Sequence, residues 1–125
     1  MKEELRSEKA PAAIGPYSQG IKANGFAFIS GQLPIDPATG SFAGDDIASQ
    51  TRQSILNVQA VLAEAGATLD DCVRVNVYLK DIGDFAAMNE VYAAYFKGVC
   101  PARAAVQVAA LPKNALVEIE VIAAL

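Results

Sequence analysis

The sequence predicts a two-layer α+β sandwich, a mixed β-sheet with two helices packed on one face. Three observations carry that expectation. Residues Cys72–Lys80 and Val117–Ala123 alternate apolar and polar side chains with the period of a half-buried strand. Two segments, Asp45 or Asp46 to about Ala65 and Phe85 to about Phe96, repeat apolar residues at steps of three and four behind a capping Asp. Between two short apolar runs lies Asn24-Gly25, the strongest local signal of a tight hairpin turn. With 125 residues there is room for one core, so residues 1–125 are read as one domain.

Taken in order, residues 1–9 are polar and expected to fray. Ala10-Pro-Ala-Ala-Ile-Gly-Pro-Tyr-Ser-Gln-Gly has two prolines and two glycines and reads as an extended, turn-rich entry. Tyr17–Ile21 and Phe26–Ser30 are the first two strands, and Leu33 to Gly40 is a loop of successive turns. The first helix buries Ile47, Thr51, Ile55, Val58, Leu62 and Ala65, and Gly66 ends it. In the next strand Val73, Val75, Val77 and Leu79 face the helices, and Arg74, Asn76 and Tyr78 face away. Arg74 is expected to form a cross-strand ion pair on the same polar face as Glu120. The second helix offers Phe85, Met88, Val91, Tyr92 and Tyr95 as its buried stripe, with Asn89 inside it.

The last quarter reads as two antiparallel strands joined at Leu111-Pro112-Lys113-Asn114, where Pro presets φ and Asn tolerates the left-handed region. A simple register pairs Gln107 with Glu118 and Arg103 with Ile122. It puts Arg103, Gln107, Glu118 and Glu120 on one face and the valines on the other, against the helices. Arg103 then stands ~13 Å along the strand from Glu118, so a ligand, a bulge or a second subunit must join them. An ion pair on a sheet surface competes with a small-anion site as the reading of these residues. Ala105, Ala109, Ile122 and Ala124 make the polar face too apolar to stay bare, and another copy of the chain is the economical cover.

Composition narrows the function. The chain is 53% hydrophobic, a surplus for its size that also points to a subunit interface. The net charge is −4 and no basic run occurs, which argues against a phosphate-tracking nucleic-acid surface. With no His and two Cys outside any CxxC spacing, a zinc site is not expected. Cys72 and Cys100 read as reduced thiols of a cytoplasmic protein. The charged start, Met1-Lys-Glu-Glu-Leu-Arg-Ser-Glu, is neither a secretory nor a transit signal, and no apolar run reaches the ~20 residues of a membrane span.

Three segments carry a family resemblance. They are Ala10-Pro-Ala-Ala-Ile-Gly-Pro-Tyr-Ser-Gln-Gly, then Ile29-Ser-Gly-Gln-Leu-Pro-Ile-Asp-Pro-Ala-Thr-Gly, then Pro101-Ala-Arg with the apolar strand, Leu111 and Val117-Glu-Ile. Together they resemble the YjgF/Rid family of reactive imine and enamine deaminases over nearly the whole chain. The resemblance implies the YjgF/chorismate-mutase-like fold, a homotrimer and ligand sites in the clefts between subunits. It implies that Tyr17, Ser30 and Gly31 line the ligand cavity and that Asn89 lies near it. Many members carry Cys two residues after the Arg, whereas this chain has Ala105 there. No thiol is then available at that contact, and substrate preference is open.

The implied reaction is hydrolysis of 2-imino acids, or enamine tautomers such as 2-aminoacrylate, to 2-keto acids and ammonia. In that reading Arg103 binds the substrate carboxylate as a planar fork, and Glu118 activates water and returns the proton to departing ammonia. Tyr17, Ser30 and the Gly31 backbone orient the substrate. An iminium carbon is already electrophilic, so no metal or cofactor is expected. The alternatives are a non-catalytic sensor of 2-keto acids held by Arg103 and, disfavoured by charge and composition, RNA cleavage.

Overall fold

A computed structural model describes residues 1–125. It contains β1 (Glu3–Leu5), β2 (Gly20–Ala23), β3 (Phe26–Gln32), α1 (Ile47–Ala63), β4 (Cys72–Leu79), α2 (Phe85–Tyr95), β5 (Ala102–Gln107) and β6 (Val117–Ala124). The six strands form one mixed sheet in the order β1-β2-β3-β6-β4-β5. All neighbours run antiparallel except β4 and β5.

Both helices pack on one face, as expected. Asp46 caps α1 by accepting a hydrogen bond from the Ser49 amide, at 2.7 Å, and Gly66 follows the helix at φ +72°. Ile55, Val58, Val61 and Leu62 of α1 and Met88, Tyr92 and Phe96 of the α2 region meet Val75, Val77, Leu79, Val117, Ile119 and Val121 in one core. Removing these side chains from water is the main drive for joining helices to sheet. The first hairpin turns at Asn24 and Gly25, φ 51° and 79°, the primed-turn geometry that suits twisted strands.

Several expectations are corrected. The C-terminal strands do not form a hairpin. β5 lies parallel to β4, linked to it through α2, and β6 inserts between β3 and β4. A strand–helix–strand unit favours parallel pairing, and a parallel pair requires such a crossover. Leu111–Asn114 is instead a compact turn, with Lys113 and Asn114 at φ 55° and 60°. The expected Gln107–Glu118 and Arg103–Ile122 pairings are therefore absent. Arg103 pairs with Val75 and faces the helices, while Ala104 and Val106 face away. Residues 3–5 are ordered as the edge strand β1, and Leu5 is in the core. A register shift after Cys72 buries that thiol and leaves Val73 on the exposed side, 44% accessible.

Polar side chains on the buried side of α1 pin the loops. The Asn57 Nδ2 group donates to the Leu33 and Ile35 carbonyls at 3.0 and 2.9 Å. The Gln50 Nε2 group donates to the Gly44 carbonyl, and its Oε1 accepts from the Leu116 amide. The Gln19 amide likewise holds the entry segment, bonding Ser7, Ala10 and Pro11. Each of these bonds satisfies backbone groups that the sheet leaves unpaired.

Candidate functional site

The expected site residues fall into two groups. The first lies on the sheet face away from the helices. Between Ile29 and Gln32 of β3 the register slips, so that Ser30 and Gly31 together oppose Glu120 of β6. The bulge is tied to the entry loop. The Ser30 amide donates to the Gln19 carbonyl at 2.9 Å, and its hydroxyl donates to the Ser18 carbonyl at 2.6 Å. Tyr17 follows from this anchoring. It is 54% exposed and lines a groove of about 790 Å³ with Arg6, Ile14, Ile35, Pro37 and Lys113.

Glu118 reaches the same bulge. A Cβ on residue 31 would stand 2.8 Å from the Glu118 Cδ and 3.2 Å from its Cγ, with Oε2 closer still. The carboxylate therefore needs glycine at position 31. Burial, with the nearby charge of Glu120, pushes the Glu118 carboxyl above the ordinary glutamate range.

Glu120 is differently placed. It accepts from the Tyr78 hydroxyl at 2.5 Å and from the Asn76 Nδ2 group at 3.1 Å. The Arg74 Nε–H donates to Asn76 Oδ1 at 3.2 Å. The expected Arg74–Glu120 ion pair is thus replaced by a chain through Asn76. The hydrogen bond to Glu120, followed by burial, raises the Tyr78 phenol to about 12. One carboxylate of the pair is held by donors, and the other stands at a backbone notch.

The second group lies on the other face, at the β5 edge beside α2. The Arg103 Nη1–H donates to Asn89 Oδ1 at 2.7 Å. The guanidinium carbon sits 4.6 Å from the Tyr92 ring centroid and 5.5 Å from that of Phe85, both within cation–π range. Ala105 points to the same side, beside Val77 at the margin of the core. Arg103 thus bonds Asn89 through one of its five N–H donors and sits over two aromatic rings.

Ser30, Gly31 and Glu118 are therefore gathered in one place, and Asn89, Arg103 and Ala105 in another, while Tyr17 lines the groove beside the entry segment. Within one chain the two groups lie on opposite faces, with β4 between β6 and β5. Sequence reasoning overlooked the Tyr92 contact with Arg103, although Tyr92 follows Asn89 by three residues and shares its helix face. It also overlooked Gln19, whose role shows only in its backbone partners. No group of three or more His, Cys, Asp or Glu is placed to hold a metal ion, and no helix is long and apolar enough to cross a membrane.

A mixed sheet with two helices on one face, a glutamate set against a glycine and an arginine set against two aromatic rings define a small α+β protein. Comparison with known proteins carries this further. The family model described as Endoribonuclease L-PSP matches residues 7–125. A RutC family protein of Pyrococcus horikoshii is 58% identical over 123 residues, covering 98% of both chains. The 2-iminobutanoate/2-iminopropanoate deaminase of Salmonella typhimurium is 45% identical over 126 residues, again covering 98% of each. A crystal structure of a Rid family protein from Yersinia pestis superposes with a TM-score of 0.97 at 49% identity, covering 100% of both chains. The chain belongs to the YjgF/Rid family.

Proposed function

We propose that this protein hydrolyses 2-imino acids and their enamine tautomers to 2-keto acids and ammonia, as a homotrimer whose sites each combine two subunits. The observation that carries the reading is the pair of half-sites. Arg103 is preorganised for a carboxylate on one face, and Glu118 is poised at Gly31 on the other. A cyclic assembly brings unlike faces of neighbouring chains together, and a three-fold ring closes. The exposed apolar residues of the open sheet face, Phe26, Phe28, Val73 and Val106, support burial by such neighbours. The deaminase name of the Salmonella relative supports the reaction class.

In this reading the substrate carboxylate docks on Arg103 through paired N–H donors. Glu118 removes a proton from water as its oxygen bonds the iminium carbon. The C=N π electrons return to nitrogen, giving a carbinolamine. Glu118 then protonates that nitrogen and accepts the hydroxyl proton as the C–N bond breaks, leaving ketone and ammonia. A carboxyl raised above its ordinary value suits both proton transfers near neutral pH. We assign the reaction to the cytoplasm, a compartment in which two thiols such as Cys72 and Cys100 stay reduced.

A second reading, a sensor of small 2-keto acids, is favoured by one observation. Arg103 with Asn89 can hold a carboxylate without Glu118. RNA cleavage gains nothing from a chain of net charge −4 without His.

The test generates the imine in situ with a serine or threonine dehydratase and lets semicarbazide compete for it, following the adduct by absorbance. Wild-type protein should suppress the adduct and Arg103→Ala should not. Suppression by neither protein, across several amino-acid precursors, removes the catalytic reading in favour of keto-acid binding.

A further inference from the structure

We propose that Tyr92 is the positioning residue of this site: its ring face sets the plane of the Arg103 guanidinium, so that the arginine meets a planar carboxylate already aligned. The proposal rests on Arg103 as the carboxylate anchor and goes beyond it by naming what fixes the anchor.

Arg103 comes from a short strand at the sheet edge, bonded to β4 on one side only. An arginine side chain there has rotamer freedom to lose before it can bind two oxygens at once. Asn89 supplies one bond, at 2.7 Å, and a single bond leaves the guanidinium free to swing about it. A flat surface under the guanidinium removes that freedom. Tyr92 provides it at 4.6 Å, nearer than Phe85 at 5.5 Å. Tyr92 cannot itself give way, because it is only 6% exposed and its ring stacks on Phe96, with centroids 4.2 Å apart and planes inclined by 21°. Arg103, Tyr92 and Phe96 thus make a layered stack ending in the core. The contact works through the ring and not through a phenolate. Burial outweighs the opposing pull of Arg103 and raises the Tyr92 phenol to about 12, so the hydroxyl is neutral at physiological pH. That hydroxyl is buried with no partner at full hydrogen-bond geometry, although Arg103 lies close enough to favour its ionised form, and Tyr92→Phe, which removes it and keeps the ring, isolates the part played by the ring.

Two measurements test this. The first follows the Arg103 side-chain Nε–H by NMR in the full-length protein. Wild type should show an upfield ring-current shift that Tyr92→Phe keeps and Tyr92→Leu abolishes. This readout needs no turnover, so it stands or falls apart from the deaminase reading. A wild-type Arg103 signal at its ordinary position overturns the proposal even if no variant folds. The second measures 2-oxobutyrate binding by calorimetry, alongside circular dichroism to verify folding. Tyr92→Leu should weaken binding roughly tenfold, within the range of a partly desolvated cation–π contact, and Tyr92→Phe should restore it to within about twofold of wild type. In the Arg103→Ala background, Tyr92→Leu should add nothing, because the interaction it removes is already gone. An equal loss in both backgrounds, or none from a folded Tyr92→Leu, refutes the positioning role. If wild type binds no 2-oxobutyrate while the ring-current shift is present, the anchor reading fails and the aromatic clamp survives it.

Discussion

Replacing Gly31 by alanine should separate stability from activity. The new methyl group would lie 2.8 Å from the Glu118 Cδ, whereas ordinary contacts begin at 3.4 Å. The carboxyl carbon must retreat by about 0.6 Å, and Oε2, which is nearer, by more. The obstacle is the end of a flexible side chain, so the fold accommodates it at little cost. Loss of glycine freedom in the unfolded chain offsets part of that cost, by ~0.4–1 kcal/mol. Catalysis has no such tolerance, since a 1 Å misplacement of a reacting group can lower rate about 10²-fold. Gly31→Ala should thus unfold within a few degrees of wild type, bind 2-oxobutyrate at Arg103 with little change, and lose roughly 10- to 100-fold in kcat/KM by the semicarbazide assay. A stable variant that retains kcat/KM within about threefold would show that the position of Glu118 does not limit the reaction.

Glu118→Gln should abolish turnover by ~10²–10⁴-fold and spare keto-acid binding, the expected cost of losing a general base. Its stability should also respond differently to pH. The Glu118 carboxyl lies above its ordinary 4.5, so the folded chain holds a proton that the unfolded chain has released, and wild-type stability falls as pH rises through the raised value. The glutamine variant should lack that component, and parallel Tm–pH curves for the two proteins would refute it. Thr51 is fully buried with its hydroxyl unpaired, so Thr51→Val should stabilise by ~1 kcal/mol, read as a rise in Tm; a lower Tm would mean the hydroxyl is satisfied in solution. Burial, assisted by Asp71 and Asp70, pushes the Cys72 thiol up to about 12, so a native chain should consume no more than one equivalent of a thiol reagent and a denatured chain two. Rapid native reaction of both thiols would contradict the buried placement. Phe28→Glu on the open sheet face should shift the mass measured by light scattering from the three chains of the proposed trimer toward one, and a mass unchanged from wild type would remove that face from the interface.

The local patterns in this sequence were legible because each is decided by neighbours in the chain. Asn24-Gly25 specified its turn, Asp46 its cap, and the alternation along Val117–Ala123 its buried face. Strand partnership was not legible, because alternation in β5 and β6 is equally compatible with pairing to each other or to β4. Assuming the hairpin carried a second error with it. It placed Arg103 on the face of Glu118, whereas pairing with Val75 turns Arg103 toward α2. The candidate site residues were chosen through motifs. Their arrangement was not, since the bulge at Ser30–Gly31 and the aromatic backing of Arg103 arise only from contacts between distant segments. The shift at Cys72–Arg74 misled for the same reason, exchanging the burial of Cys72 and Val73.

The strand order has a consequence for amide exchange. Glu118 is carried by β6, which is bonded along both edges, to β3 and to β4. Its backbone should open to solvent only when the whole sheet comes apart, so its amides should exchange by global unfolding. Arg103 is carried by β5, bonded along one edge to β4, and can be released by a local opening that leaves the rest of the sheet intact. The proposed proton-handling carboxylate is therefore set in the slowest-opening part of the chain, and the proposed carboxylate anchor in a strand able to open locally.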